Sequence, residues 1–203
     1  MSELLAFMEL GFRHIVDISA MDHILFLLAL AAIYRWRDWH DALWVVSAFT
    51  IGHSTTLVLA VTGVLTISSA IVEFLIPLTI VVACIENLLV RNRASALWGG
   101  RYRAILAGVF GLVHGAGFAT YLRSLFVDHI AVPLFGFNVG IEAGQIVVLA
   151  AAATLLMAVD AGFERIRLPS GSPSALRLRV VAISAVVMVV ASAWAVQRNP
   201  WSA

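Results

Sequence analysis

Apolar runs dominate this chain, and the few polar residues inside them are spaced in a way that needs explaining. From residue 3 to 19 apolar and polar positions are mixed. Leu4, Leu5, Phe7, Met8, Leu10, Phe12 and Ile15 share the stretch with Glu3, Glu9, Arg13, His14 and Asp17, the pattern of an amphipathic or half-inserted helix. Six apolar segments then follow, at about 21–35, 42–63, 67–90, 103–126, 133–159 and 180–197. Most reach the length that crosses a bilayer, about 18 residues or more. The polar connections between them are short. Pro133 suits the first turn of the fifth segment, where its missing N–H costs nothing.

Composition agrees with this pattern. Of 203 residues, 62% are hydrophobic and 12% charged, against roughly 25% charged in an average soluble domain. The expected fold is therefore all-α: a polytopic membrane bundle of about six transmembrane helices in a single domain, 1–203. Cys84 is the only cysteine, so no disulfide forms within the chain, and packing is its expected role. The N-terminus, Met1-Ser2-Glu3, lacks the basic region of a signal peptide. There is no finger pattern or phosphate loop, and the arginines flank apolar segments, so nucleic acid is not an expected partner. The lipid bilayer is, and the glycine stripes described below permit a homo-oligomer or a membrane partner.

Charge placement sets an orientation. Arg35 and Arg37 lie in the first connection, Arg91, Arg93, Arg101 and Arg103 in the third, and Arg165, Arg167, Arg177 and Arg179 in the fifth. The connection at 64–66 has none, and that after the fourth segment has at most Arg123. Cytoplasmic loops carry the excess of Lys and Arg, so both termini are expected on the periplasmic side of a bacterial inner membrane.

Ionisable groups inside the segments are the candidate chemistry, because such residues are costly in a membrane and commonly functional. Asp22-His23 heads the first segment. His53 lies in the second, Glu73 in the third, His114 in the fourth and Glu142 in the fifth. Together they form a ligand set suited to a divalent ion such as nickel, cobalt or zinc; the carboxylates would offset its charge and the imidazoles would direct it. Secondary candidates are His14, which could fold over the mouth of the site, and Ser54, Glu86, Asn87, Asn138 and Gln145. Asn138, Glu142 and Gln145 share one helical face at i, i+4, i+7. Gly136, Gly140 and Gly144 form an adjacent stripe, and Gly111 and Gly115 flank His114. Small residues at that spacing allow close helix approach, which predicts that the fourth and fifth segments pack together and bring His114 near Glu142. Pro77 removes the hydrogen bond to the Glu73 carbonyl, predicting a kink at a ligand cavity. Asn87 returns to the Glu73 face, whereas Glu86, roughly 20 Å deeper, is a separate station or a partner for a cytoplasmic-side arginine. Ser54 and Thr50 are expected to bond back to their own helix. The last segment, free of charge until Arg198, reads as lipid-facing scaffold, and His40 and His129 as solvated.

Taken as a set, these stretches resemble the HupE/UreJ family of small integral membrane proteins, in its short six-span branch. The resemblance is carried by His14-Ile15, Met21-Asp22-His23-Ile24-Leu25-Phe26-Leu27-Leu28 and Ala48-Phe49-Thr50-Ile51-Gly52-His53-Ser54-Thr55-Thr56-Leu57. It continues through Val72-Glu73, Glu86-Asn87-Leu88, Phe110-Gly111-Leu112-Val113-His114-Gly115-Ala116-Gly117-Phe118-Ala119 and Phe137-Asn138-Val139-Gly140-Ile141-Glu142-Ala143-Gly144-Gln145. It covers about residues 10–150. The family pattern sets a glycine between its first histidine and the Asp-His pair; here that gap is longer and has none. The resemblance implies a nickel or cobalt permease. A second reading of the same residues is an intramembrane zinc hydrolase acting on a lipid or peptide near the outer leaflet, with Glu73 or Glu142 as general base. A third is a metal-sensing or chaperoning partner in a larger complex.

Overall fold

Helix is the economical answer to an apolar environment, since every internal N–H and C=O is satisfied within the segment. The computed structural model describes residues 2–18, 21–90, 102–125, 129–165 and 173–202, and the regular structure among them is helical. In chain order the helices are α1 (Glu3–Val16), α2 (Asp22–Ala31), α3 (Trp39–Val61), α4 (Ser69–Leu89), α5 (Tyr102–Leu125), α6 (Ala131–Arg165) and α7 (Ala175–Gln197). Five of them, α3 to α7, contain stretches long and apolar enough to cross a membrane. Arg91, Arg93, Arg101, Arg167, Pro169 and Gly171 lie outside the described residues.

Local chemistry sets the ends. A single turn of 3-10 helix at Trp36–Asp38 leads into α3, and the Asp38 carboxylate accepts the Arg35 backbone N–H at 3.0 Å. Gly63 ends α3 with φ of 78°, a left-handed conformation that glycine takes without a Cβ penalty. Ser174 caps α7, its hydroxyl accepting the Arg177 N–H at 3.3 Å. α4 remains one helix from Ser69 to Leu89 with Pro77 buried inside it.

The first segment departs from expectation. The 14 residues of α1 match the amphipathic helix expected at 3–19, but α2 has only 10 residues against the span expected at 21–35, about 21 Å and 15 Å of rise. Both lie along α6. Leu4, Met8 and Phe12 of α1 meet Gly136, Gly140 and Gly144 in increasing order, so the two helices run parallel. Farther along, α2 packs its Leu28 and Ala31 with Leu149, Ala152 and Leu156 of α6. α1 and α2 thus follow one another along α6.

The glycine stripes pack differently from the prediction. Those of α6 receive α1, and those of α5 receive α3. A Cβ on Gly52 would fall 2.0 Å from the Gly108 carbonyl oxygen, one on Gly111 would fall 2.1 Å from that of Phe49, and one on Gly115 would fall 2.2 Å from that of His53. Such backbone approach is how helices associate where lipid removes the hydrophobic drive between them. The register also makes α3 parallel to α5. Thr50 and Ser54 of α3 bond Gln145 and Asn138 of α6 in reverse order, so α3 and α6 are antiparallel.

One end of the bundle holds the described arginines that sequence placed in connections. Arg103, Arg177 and Arg179 are built into the helices. Arg103 bonds Glu86 through Nε at 3.0 Å, and its Nη2 also reaches Glu86. Tyr102 bonds the same carboxylate. Arg177 donates to the carbonyls of Asn87 at 3.1 Å and Leu88 at 2.6 Å, capping α4. Arg179, 2% exposed, caps α2: it reaches the Ala32 and Tyr34 carbonyls at 3.2 and 2.7 Å and pairs with Asp160 at 2.5 Å. Helix C-termini carry unpaired carbonyls and a partial negative charge, which suits these cations. α7 is therefore more than lipid-facing scaffold.

Candidate metal centre

Four helices bring imidazoles together where α1 gives way to α2. His14 ends α1, His23 begins α2, His53 lies mid-way along α3, and His114 lies in α5. His14, His23 and His53 each offer a nitrogen within 4.8 Å of the other two. Their ring centroids stand 4.6 Å (His14–His23), 6.2 Å (His14–His53) and 6.1 Å (His23–His53) apart. His114 touches the edge of the group, 5.3 Å from His23.

The cluster is dry. His53 is 0% exposed, His114 1% and His23 6%. Phe26 and Phe49 pack against His114, and Phe118 and Phe137 against His14, at centroid distances of 5.3, 5.2, 4.1 and 5.8 Å. Inside this apolar cage, six buried ring nitrogens lack a hydrogen-bond partner: His14 Nε2, both of His23, both of His53, and His114 Nδ1. Buried polar groups are normally paired; a neutral imidazole carries one N–H and one lone pair, so each ring offers at most one nitrogen whose lone pair is costly to bury unless something takes it. A divalent cation does this, and neutral imidazole is a common metal ligand.

Neighbouring polar contacts hold the rings. Thr79 Oγ1 donates to the Ile76 carbonyl at 2.7 Å and stands 3.0 Å from His114 Nε2. Its one proton is committed to the carbonyl, so it accepts from His114 Nε2–H. Beside His53, Thr50 donates to Gln145 at 2.8 Å and Ser54 to Asn138 at 2.7 Å. These two links tie α3 to α6 above and below the histidine. Thr50 also lies 3.2 Å from the Val46 carbonyl, so back-bonding describes only part of its role, while Ser54 serves between helices.

The structure brings together only part of the predicted set. Glu73 and Glu142 are exposed and stand outside the imidazole group. Glu73 lies in the first turns of α4, and Glu142 is exposed on α6, whereas Gln145 on the same helix is buried. His114 meets Thr79 and His23 rather than Glu142. Asn87 is buried, donating to the Ala29 carbonyl at 2.7 Å and to Ser184 at 3.2 Å. It belongs to the Glu86–Arg103 end, and Arg103 reaches its side-chain oxygen at 2.5 Å. Asp22 bonds Arg198, with both carboxylate oxygens 3.2 Å from Nη1. His14, a secondary candidate by sequence, is one of the three core members. Cys84 is buried among core side chains. His129 bonds Glu3 at 3.0 Å, and His40 stacks on Trp39. Thr79 had no distinguishing sequence signal; the four phenylalanines fall within the stretches that carry the family resemblance, but their residue type alone does not mark them as a cage in apolar helices.

Fold and site together define a polytopic α-helical membrane protein with a buried imidazole cluster at a break between helices. A family model described as HupE / UreJ protein matches residues 1–198, essentially the whole chain. The chain belongs to that family. No curated protein and no solved structure matches it.

Proposed function

We propose that the protein is a divalent-metal permease of the bacterial cytoplasmic membrane, with the cluster of His14, His23, His53 and His114 as its cation site and nickel or cobalt as its substrate. The observation that carries this reading is the set of six unpartnered ring nitrogens buried at the junction of α1 and α2. Imidazole suits nickel, zinc and copper alike; membership of the HupE/UreJ family supports nickel or cobalt among them. Broken helices are a recurring way to build ion sites inside transporters, because the interruption lines a cavity.

The chain's own residues divide the task. The imidazoles replace part of the ion's hydration shell. Thr79 orients His114, and the Thr50–Gln145 and Ser54–Asn138 links hold His53 in register. On the side of α2 away from the cluster, Glu86, Asn87, Tyr102, Arg103 and Arg177 close the helix ends with a hydrogen-bonded network. A cation passing that way needs this network to open. By the arginine distribution, this end faces the cytoplasm and uptake runs toward it. The membrane potential alone would supply about 4.6 kcal/mol for two charges at 100 mV.

Hydrolysis finds no support. Its candidate general bases, Glu73 and Glu142, are exposed and outside the group that could hold zinc. The test of transport is nickel or cobalt accumulation in proteoliposomes under an inside-negative potential. Wild type accumulates the ion and His53→Ala does not; equal uptake by the two would remove the proposal.

A further inference from the structure

Away from the imidazole cluster, the bundle encloses a large cavity of about 730 Å³. It lies beyond the Thr50–Gln145 hydrogen bond that joins α3 to α6. From there it follows α6 from Ile146 to Asp160, about 21 Å of helix. That length is half of the roughly 40–45 Å taken by a hydrocarbon core and its two headgroup layers, so the cavity is one leaflet deep. Its opposite wall is the start of α3, and the C-terminal end of α2 and the N-terminal end of α7 close the sides.

Chemistry changes along the cavity. The α6 wall is apolar, built from Leu149, Ala150, Ala153 and Met157 among others. At the far end stand Arg35, Asp160 and Arg179. Asp160 is engaged by Arg179 at 2.5 Å, so the excess positive charge rests with Arg35, which is exposed. Asp38 accepts the Arg35 backbone N–H at 3.0 Å and does not line the cavity. The start of the 23-residue α7 forms part of the same wall, and a helix N-terminus carries partial positive charge. Trp36 and Trp39 flank this end, 65% and 50% exposed, as suits rings at headgroup level.

An apolar channel one leaflet deep, ending in a cationic mouth between tryptophans, is complementary to a phospholipid. A transmembrane helix of a partner is too wide. At about 10 Å across it takes roughly 1,600 Å³ over this length, more than twice the volume of the cavity. We infer that the cavity holds one anionic phospholipid of the cytoplasmic leaflet, its acyl chain along α6 and its phosphate against Arg35. The lipid bridges α2, α3, α6 and α7 where they meet. The imidazoles take no part in it, so this site stands or falls separately from the permease reading.

Native mass spectrometry of the purified full-length protein in a neutral detergent tests the site. The protein is titrated with phosphatidylglycerol, or with phosphatidylcholine of the same acyl chains. Wild type is expected to bind one phosphatidylglycerol about fivefold more tightly than phosphatidylcholine, the effect of one basic residue near a membrane surface. Arg35→Gln should remove that preference. Ala150→Trp fills the channel and should abolish the bound lipid, whereas Ala151→Trp, exposed on the same helix but outside the cavity, should retain it. Glycerol phosphate, a headgroup without a chain, should not compete. Equal binding of the two lipids by wild type overturns the proposal. So does retention of phosphatidylglycerol by Ala150→Trp, or its full displacement by glycerol phosphate, which would reduce the site to an anion contact. Thermal melting shows whether each variant is folded. Should Ala150→Trp fail to fold, the comparison of Arg35→Gln with wild type decides alone, and an unchanged preference there overturns the site.

Discussion

The Thr79 hydroxyl fixes which nitrogen of His114 is bare. Because Thr79 spends its proton on the Ile76 carbonyl, His114 must donate through Nε2, 3.0 Å away, leaving Nδ1 as the lone-pair atom. That nitrogen is one of the six without a partner. Contacts of this kind, one step behind a ligand, set tautomer and ring direction, and their loss typically costs 10–100-fold in metal affinity. Thr79→Val keeps the shape and removes the acceptor. It is expected to weaken nickel binding about tenfold or more, while Thr79→Ser stays near wild type, as read by calorimetry.

The imidazoles themselves should be far less forgiving than the carboxylates that sequence placed beside them. His23→Ala and His53→Ala each remove a buried ring with two free nitrogens. Nickel binding should fall about 100-fold or more, given the strength of metal–ligand bonds in dry sites. Glu73→Gln and Glu142→Gln alter exposed groups and should leave affinity within about twofold. Elemental analysis after dialysis against a metal buffer separates the two classes.

Gly115 marks where packing and site meet. An added Cβ would lie 2.2 Å from the His53 carbonyl oxygen, and that atom is backbone, so α3 and α5 must part. Overpacking of a tight contact costs about 1–3 kcal/mol. Gly115→Ala is expected to lower the melting temperature and weaken metal binding together. Gly162→Ala, where a new Cβ meets nothing within 4 Å, should do neither.

At the opposite end, Arg103 and Glu86 form a largely buried pair, with side chains 4% and 15% exposed. Removing one member of such a pair strands the other, at a cost of about 3–5 kcal/mol. Arg103→Gln alone should therefore destabilise the protein, and Glu86→Gln added to it should restore much of the loss. A double-mutant cycle on thermal unfolding in detergent reads the coupling.

Much of this was legible in the sequence, and the limits have physical causes. Long apolar runs betray α3 to α7 because length and hydropathy suffice. The break before Asp22 is legible, because an amphipathic stretch gives way there to an apolar one; the packing of α1 along α6 is not, because an amphipathic pattern does not name the surface its apolar face will meet. The histidines were found because ionisable groups inside apolar runs are conspicuous, whatever their neighbours. Glu73 and Glu142 are equally conspicuous, but periodicity cannot say which helix a face will meet. The glycine stripes announced close packing without naming the partners, so the pairing of α5 with α6 was inferred where α3 and α1 are the true neighbours. The roles of Arg177 and Arg179 escaped notice because a cation at a segment edge looks the same whether it is solvated or bent back onto carbonyls.

The glycine-welded contacts divide the imidazoles between two bodies. His14 rides with α1 on α6, whereas His53 and His114 ride on the α3–α5 unit, and His23 stands in the first turn of α2, which also packs on α6. A sliding of one unit past the other by the length of a single bond or two would change how many nitrogens can reach a common point. How many of these nitrogens can reach a common point is therefore set by the register between the two packed pairs, which the Thr50–Gln145 and Ser54–Asn138 hydrogen bonds pin together.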